Sequence, residues 1–132
     1  MPIGEHDSNA LSDVRTTEDA GAGPEVTFVN RFTVHGPAEE FEEVFARTSA
    51  FMARRPGFVR HSLLREADGA ADYVNIAVWT DRASFQQAVQ HPEFAPHAAA
   101  LRALSRSENG LFTARLSVTA GAVGEAAPER TR

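Results

Sequence analysis

The segment DYVNIAVWTDRASF, from Asp72 to Phe85, joins a predicted strand to a predicted helix. Its first eight residues alternate in the manner of a strand, and one face is apolar throughout: Val74, Ile76 and Val78. The opposite face sets an amide among aromatic and small side chains: Tyr73, Asn75, Ala77 and Trp79. Thr80 and Asp81 then end the strand and cap the helix. The segment therefore predicts a β–α junction with Trp79 at its bend.

The rest of the chain predicts three more strands and two more helices, besides the helix that begins in the segment above. The other strands are expected at residues 26–34, 58–65 and 111–118, and the helices at 36–55, 82–90 and 96–105. Asp68-Gly69 marks a hairpin turn before the central segment, and Asn109-Gly110 a turn before the last strand. This order predicts the ferredoxin-like α+β fold, βαββαβ, with a four-stranded antiparallel sheet and helices on one face.

A sheet that helices cover on one face has a second apolar face to bury. Six side chains are candidates for that face: Val29, Val59, Leu63, Val74, Ile76 and Val78. A second copy packed sheet to sheet buries them economically. The sequence therefore predicts a homodimer, a dimeric α+β barrel.

The charge divides the chain into a tail, a domain and a second tail. Residues 1–25 hold six acids and one Arg, which gives −5, whereas residues 26–118 are neutral. We predict a disordered acidic tail at 1–24, one domain at 25–118 and a disordered tail at 119–132. The neutral domain gives no reason to expect nucleic-acid or membrane binding, and a cytoplasmic location is expected.

Composition excludes several chemistries. The chain has no Cys, so thiolate metal sites and a Cys nucleophile are excluded, and all 13 cationic residues are Arg, which excludes a Schiff-base lysine. Two asparagines interrupt apolar strand faces: Asn30 in the first strand and Asn75 in the third, which lie side by side in this topology. Each is either a satisfied core amide or part of one polar site within an apolar pocket.

Three short motifs in fixed order carry a family resemblance: Pro56-Gly57-Phe58, Trp79-Thr80-Asp81 followed by Phe85, and His91-Pro92. Over residues 26–118 the chain resembles the antibiotic biosynthesis monooxygenase (ABM) superfamily of dimeric ferredoxin-like barrels. The resemblance implies one of two branches, or a barrel that only binds a small ligand.

The first branch contains cofactor-independent, quinone-forming monooxygenases of aromatic polyketide pathways. The resemblance implies site roles for Asn75 and Trp79, and for Arg102 in the Leu101-Arg102 pair, while Phe85 replaces that branch's helix tyrosine. This branch implies no metal and no cofactor, with O₂ and an electron-rich anthrone or phenol as substrates.

The second branch contains haem-degrading enzymes of the same fold. Here the resemblance implies roles for Asn30 and for His97 as the haem ligand, but Ala88 stands where that branch has a tryptophan.

For the first branch, the aromatic pocket is expected from Phe28, Phe32, Phe41, Phe45 and Phe85. Asn30 and Asn75 would stabilise an oxyanion, and His97 or Arg102 would take the proton or offset the charge.

Overall fold

The computed structural model describes residues 23–69 and 71–121. In chain order the elements are β1 (Val26–Val34), α1 (Ala38–Met52), β2 (Phe58–Arg65), β3 (Asp72–Trp79), α2 (Arg82–Gln90), α3 (Phe94–Leu104) and β4 (Ser105–Phe112). The strands form one antiparallel sheet in the order β2-β3-β1-β4. This is the predicted ferredoxin-like α+β arrangement, which is confirmed.

The junction between β3 and α2 forms as the sequence predicts. Asp81 is the N-cap, and its Oδ1 accepts a hydrogen bond of 2.8 Å from the backbone N–H of Ser84. α2 ends at Gln90, one residue before His91-Pro92. Trp79 is 1% exposed and packs edge-on against Phe85 in the first turn of α2, with ring centroids 5.9 Å apart. The strand end and the helix start are therefore locked together by one aromatic contact and one cap.

Helices cover one face of the sheet, and the core between them falls into two clusters. One cluster centres on Phe32, Phe41 and Phe45, with Tyr73 from β3. The other centres on Trp79 and Phe85. The two clusters occupy different lengths of the same sheet face, and the functional site described below lies between them.

β2 contains an irregularity that the alternation pattern missed. Its register against β3 shifts between Phe58 and Arg60, a β-bulge that places two residues of β2 against one of β3. After the bulge the side chains change faces, so Leu63 packs against the helix-side core rather than on the outer face. The prediction that Leu63 belongs to the outer face is therefore wrong, and Leu64, 50% exposed, takes that place.

The last strand also differs from its prediction. β4 runs from Ser105 to Phe112 and pairs with β1 throughout, so Asn109-Gly110 lies within the strand and 113–118 is not strand. Its first half, Ser105 to Glu108, is polar and resembles a loop. An edge strand pairs on one side only, and its hydrogen bonds come from the backbone, so it forms without apolar alternation. Correspondingly, α3 begins at Phe94 and ends at Leu104.

The predicted tails, 1–24 and 119–132, lie almost wholly outside the described residues, and the domain limits stay predictions. Every described helix is too short or too polar to cross a membrane.

Tyr73 allows a direct spectroscopic test of the core. Its hydroxyl donates a 2.6 Å hydrogen bond to Glu42 Oε2, and burial, then this bond and the Glu42 charge, raise its pKa. A raised pKa means that its contribution to stability is complete below the ordinary value of 10.0 and is lost as the pH rises through the folded-state value.

Tyr73 is the only tyrosine in the chain, so tyrosinate absorbance reports this group alone. We expect a midpoint above 10.0 in the folded protein and near 10.0 in denaturant. Glu42→Gln should lower the folded midpoint, since it removes the charge, while burial keeps it raised. Equal midpoints in folded and denatured protein would contradict this packing.

Candidate active site

A cavity of about 200 Å³ lies between the sheet and the three helices. Its apolar walls are largely aromatic: Phe28, Phe32, Phe45, Phe58, Trp79, Phe85 and Phe94. The polar groups on its walls come from all four strands and from α1 and α3: Asn30, Thr48, Ser49, His61, Asn75, Arg102, Ser105, Ser107 and Asn109. A largely apolar cavity with a few convergent polar groups is the usual form of a small-molecule site.

Three asparagines lie side by side across the floor of the cavity. Asn30 of β1 is the cross-strand partner of Asn75 in β3 and also of Asn109 in β4. Direct partners in an antiparallel sheet point to the same face, so all three side chains face the helices. We call Asn75, Asn30 and Asn109 the amide row.

Within the amide row, Asn30 has an unsatisfied oxygen. Its Oδ1 is buried and has no hydrogen-bond partner among the described residues. A buried acceptor without a partner costs on the order of 1–3 kcal/mol, so such groups in native proteins call for an explanation. Asn30 lines the cavity, but its Oδ1 is itself covered, so a donor in the cavity reaches this oxygen only if the side chain turns.

Asn75, by contrast, is held by the protein. Its Oδ1 lies 3.1 Å from Nδ1 of His61, and Nε2 of the same ring lies 2.7 Å from Oγ of Ser49. His61 comes from β2 and Ser49 from α1, so this chain of hydrogen bonds crosses from helix to sheet. The His61 ring is packed between Phe45 and Phe58, at centroid distances of 5.8 and 6.0 Å.

Trp79 forms the wall at one end of the cavity. Its indole packs edge-on against Phe58 at 5.3 Å, with an interplanar angle of 82°, and Phe28 packs against Phe85 at 4.8 Å. These contacts between aromatic rings restrict the side chains of the end wall.

The electrostatics of the cavity favour an anion. Among the described residues that line it, Arg102 carries a permanent positive charge and none is Asp or Glu. Arg102 lies in the last turn of α3 and is exposed, so its guanidinium meets the cavity at the solvent side. A cation without a neighbouring carboxylate can attract a negatively charged group on a ligand.

The structure brings most of the predicted site residues together. Eight of them line the cavity: Asn30, Asn75, Trp79, Arg102, Phe28, Phe32, Phe45 and Phe85. Phe41 does not, because it is 0% exposed and packs between Phe32 and Tyr73 in the core. His97 does not line it either, and its ring lies against Phe51, 5.5 Å between centroids. The structure therefore places Phe41 and His97 outside the walls of this cavity, and their predicted pocket and catalytic roles stay predictions.

Sequence reasoning missed His61, Ser49 and Asn109. The bulge in β2 turns His61 toward the helices, and simple alternation from Phe58 assigns it to the opposite face. Asn109 was missed because the pair Asn109-Gly110 predicts a turn, and a turn residue is not expected on a sheet face. Ser49 carries no sequence signal of its own, and only its hydrogen bond with Nε2 of His61 marks it as part of the site. Among the described residues, no three His, Cys, Asp or Glu side chains are placed to hold a metal ion.

Comparison with known proteins identifies the family. The model described as antibiotic biosynthesis monooxygenase matches residues 26–100. This chain belongs to that family. Its relative deoxynogalonate monooxygenase, from Streptomyces nogalater, is 68% identical over 97 residues, which cover 74% of this chain and 82% of the relative.

Solved structures agree with this assignment. The crystal structure of SnoaB, a cofactor-independent oxygenase from Streptomyces nogalater, superposes with a TM-score of 0.72 at 68% identity, covering 73% of this chain and 98% of that one. A putative antibiotic biosynthesis monooxygenase from Caulobacter crescentus CB15 has a TM-score of 0.64 at 20% identity, covering 69% and 90%, and supports the fold alone. The predicted family and its cofactor-independent monooxygenase chemistry are confirmed by the relatives at 68% identity.

The haem-degrading alternative requires His97 as the haem ligand, and His97 does not line the cavity. His97 would have to reach a porphyrin in the cavity, yet it packs against Phe51 outside the walls.

We therefore expect titration of the purified protein with haemin to leave the Soret band where it is for free haemin, and His97→Ala to behave identically. A shifted band at about one haemin per chain, lost in His97→Ala, would restore the alternative.

Proposed function

We propose that this protein oxidises an electron-rich aromatic of the polyketide type, an anthrone or a phenol, to a quinone with O₂ and without a cofactor. The observation that carries the proposal is the amide row on the floor of an aromatic cavity, with the Asn30 oxygen unpartnered. The relatives described as a monooxygenase and a cofactor-independent oxygenase support the reaction class.

The chemistry needs little from the protein because the substrate supplies the electrons. Triplet O₂ reacts slowly with closed-shell organic molecules, but a deprotonated phenol or anthrone can pass one electron to it. The resulting radical and superoxide then combine at carbon, and the proton that the substrate lost returns, through solvent, to convert the peroxide anion to a hydroperoxide. Loss of water breaks the O–O bond and the remaining C–H bond, so CH₂ and O₂ become C=O and H₂O.

The amides suit the first step of this sequence. Asn30 Oδ1, buried and without a partner among the described residues, would accept a hydrogen bond from a substrate hydroxyl once its side chain turns toward the cavity. Asn75, whose oxygen is occupied by His61, would present its NH₂ group to the oxyanion that forms on deprotonation. Donors aimed at developing charge in a site that excludes water are worth several kcal/mol.

Arg102 and Trp79 complete the proposed site. Arg102 would offset the negative charge of the deprotonated substrate from the solvent side. Trp79 would hold the aromatic rings of the substrate against the end wall, next to Phe58 and Phe85. Both roles follow from their positions on the cavity walls.

The role of Asn75 can be separated from a purely structural one. If its NH₂ stabilises an oxyanion, Asn75→Ala should lower the turnover of an anthrone, followed by oxygen uptake, by about 10²-fold or more. The change also leaves Nδ1 of His61 without its acceptor, so a loss of stability on the order of 1–3 kcal/mol is expected under either role, and turnover decides between them. If Asn75 is only a core amide, the same change should cost on the order of 1–3 kcal/mol of stability and leave turnover nearly intact.

Trp79→Phe tests the wall residue, because it keeps one aromatic ring in the wall but removes the indole N–H and the second ring of the indole. We expect a smaller loss of turnover than for Asn75→Ala. Stable variants of both residues with wild-type turnover would remove them from the mechanism.

We also propose that the protein is a homodimer whose sheets face each other. The face of the sheet away from the helices carries Val29, Val74 and Ile76, which are only half-buried within one chain, and the exposed Leu64. Burial of such a continuous apolar face in a second copy is the simplest way to remove it from water.

Sedimentation at tens of micromolar should give twice the chain mass of 14.3 kDa. Ile76→Arg should shift the protein toward monomer, because it places a charge at the centre of the proposed interface. Ala46→Arg, on the exposed side of α1, is the matched control and should stay dimeric. A wild-type protein that sediments only as a monomer would rule the dimer out.

A further inference from the structure

We infer that His61 is a positioning residue, which fixes the orientation of the Asn75 amide so that NH₂ rather than C=O faces the substrate. This inference rests on the proposed function for its kinetic consequence. The arrangement itself, a Ser49–His61–Asn75 relay, stands on two hydrogen bonds and can be tested without any substrate.

The direction of each hydrogen bond follows from the chemistry of the groups. Oδ1 of Asn75 only accepts, so Nδ1 of His61, 3.1 Å away, must carry the hydrogen. In a neutral imidazole the other nitrogen then lacks a hydrogen and accepts, so the Ser49 hydroxyl donates to Nε2 across 2.7 Å. The relay thus has one consistent direction, from Ser49 through His61 to Asn75.

The direction of the relay determines which end of the Asn75 amide faces the cavity. With its oxygen engaged by His61, Asn75 has only its NH₂ group to offer a ligand. In the other tautomer of His61, Nδ1 would accept, the amide would turn over, and its carbonyl oxygen would face the substrate. A carbonyl oxygen repels a developing oxyanion, whereas an N–H stabilises it. The tautomer of one ring therefore sets whether Asn75 assists the reaction or opposes it.

The surroundings hold the ring where the relay needs it. The bulge in β2 turns His61 toward α1, and Phe45 and Phe58 pack against the imidazole. Ser49 lies in the last turn of α1, between Phe45 and the end of the helix at Met52. A helix, a bulge and two aromatic rings thus fix one rotamer of His61, as a group that orients a catalytic amide requires.

The tautomer is measured first, on the intact protein without substrate. Imidazole ¹⁵N spectra distinguish the two neutral tautomers, and His61→Phe assigns the signal. We expect hydrogen on Nδ1 in the wild type and a weaker preference in Ser49→Ala. Hydrogen on Nε2 in the wild type would overturn the inference, whatever the enzyme turns over.

Two conservative variants then separate positioning from packing. His61→Asn keeps an amide N–H near the position of Nδ1, and His61→Gln keeps one near the position of Nε2. We expect His61→Asn to retain most of the kcat and His61→Gln to lose up to about 10²-fold, the scale of a misplaced catalytic group, with KM little changed.

A packing role predicts otherwise. In that case both variants should lose activity in proportion to their loss of melting temperature, and such a result would overturn the inference. If the wild type shows no oxygen uptake on any anthrone, the proposed function fails, while the ¹⁵N result still decides the relay.

Discussion

The antiparallel register between β1 and β3 is the constraint on which the site depends. It sets Asn30 opposite Asn75, and the register between β1 and β4 adds Asn109 to the same row. Because side chains alternate along a strand, a slip of one residue in either pairing would send one asparagine to the opposite face of the sheet. The apolar residues around the amides prevent such a slip, since Phe28 and Phe32 in β1 and Trp79 in β3 would leave the core with them.

The bulge in β2 adds the fourth strand to the site. A regular strand from Phe58 would turn Arg60 and Ser62 toward the helices, but the register shift turns His61 and Leu63 there instead. Leu63 then joins the core beside Tyr73, and His61 reaches both Asn75 and Ser49. Bulges next to active sites commonly re-aim a side chain in this way. One extra residue in a strand therefore links the packing of the sheet to the orientation of a single amide.

The balance between what the sequence predicts and what it misses has a physical pattern. Features that depend on neighbouring residues can be predicted from the sequence. These include the Asp81 cap, the alternation of β1 and β3, and the position of Asn30 beside Asn75. A bulge cannot be predicted in this way, because it depends on the register between two strands. His61 was missed for that reason. Phe41 and Phe45 lie on one stripe of α1, and only the tertiary packing decides that Phe45 reaches the cavity while Phe41 fills the core.

The polar groups of the cavity show how a site differs from a satisfied core. The hydroxyls of Thr48 and Ser105 donate to backbone oxygens four residues earlier, at 3.1 and 2.7 Å, so they need no ligand. Asn30 Oδ1 has no such partner in the part of the chain that the structure describes, although an apolar side chain at that position would avoid the cost of burying it. Stability alone therefore gives no reason for an asparagine in the middle of β1. Under the proposed function a substrate hydroxyl supplies that reason, because it would satisfy Asn30 when it occupies the cavity, next to the amide that contacts His61.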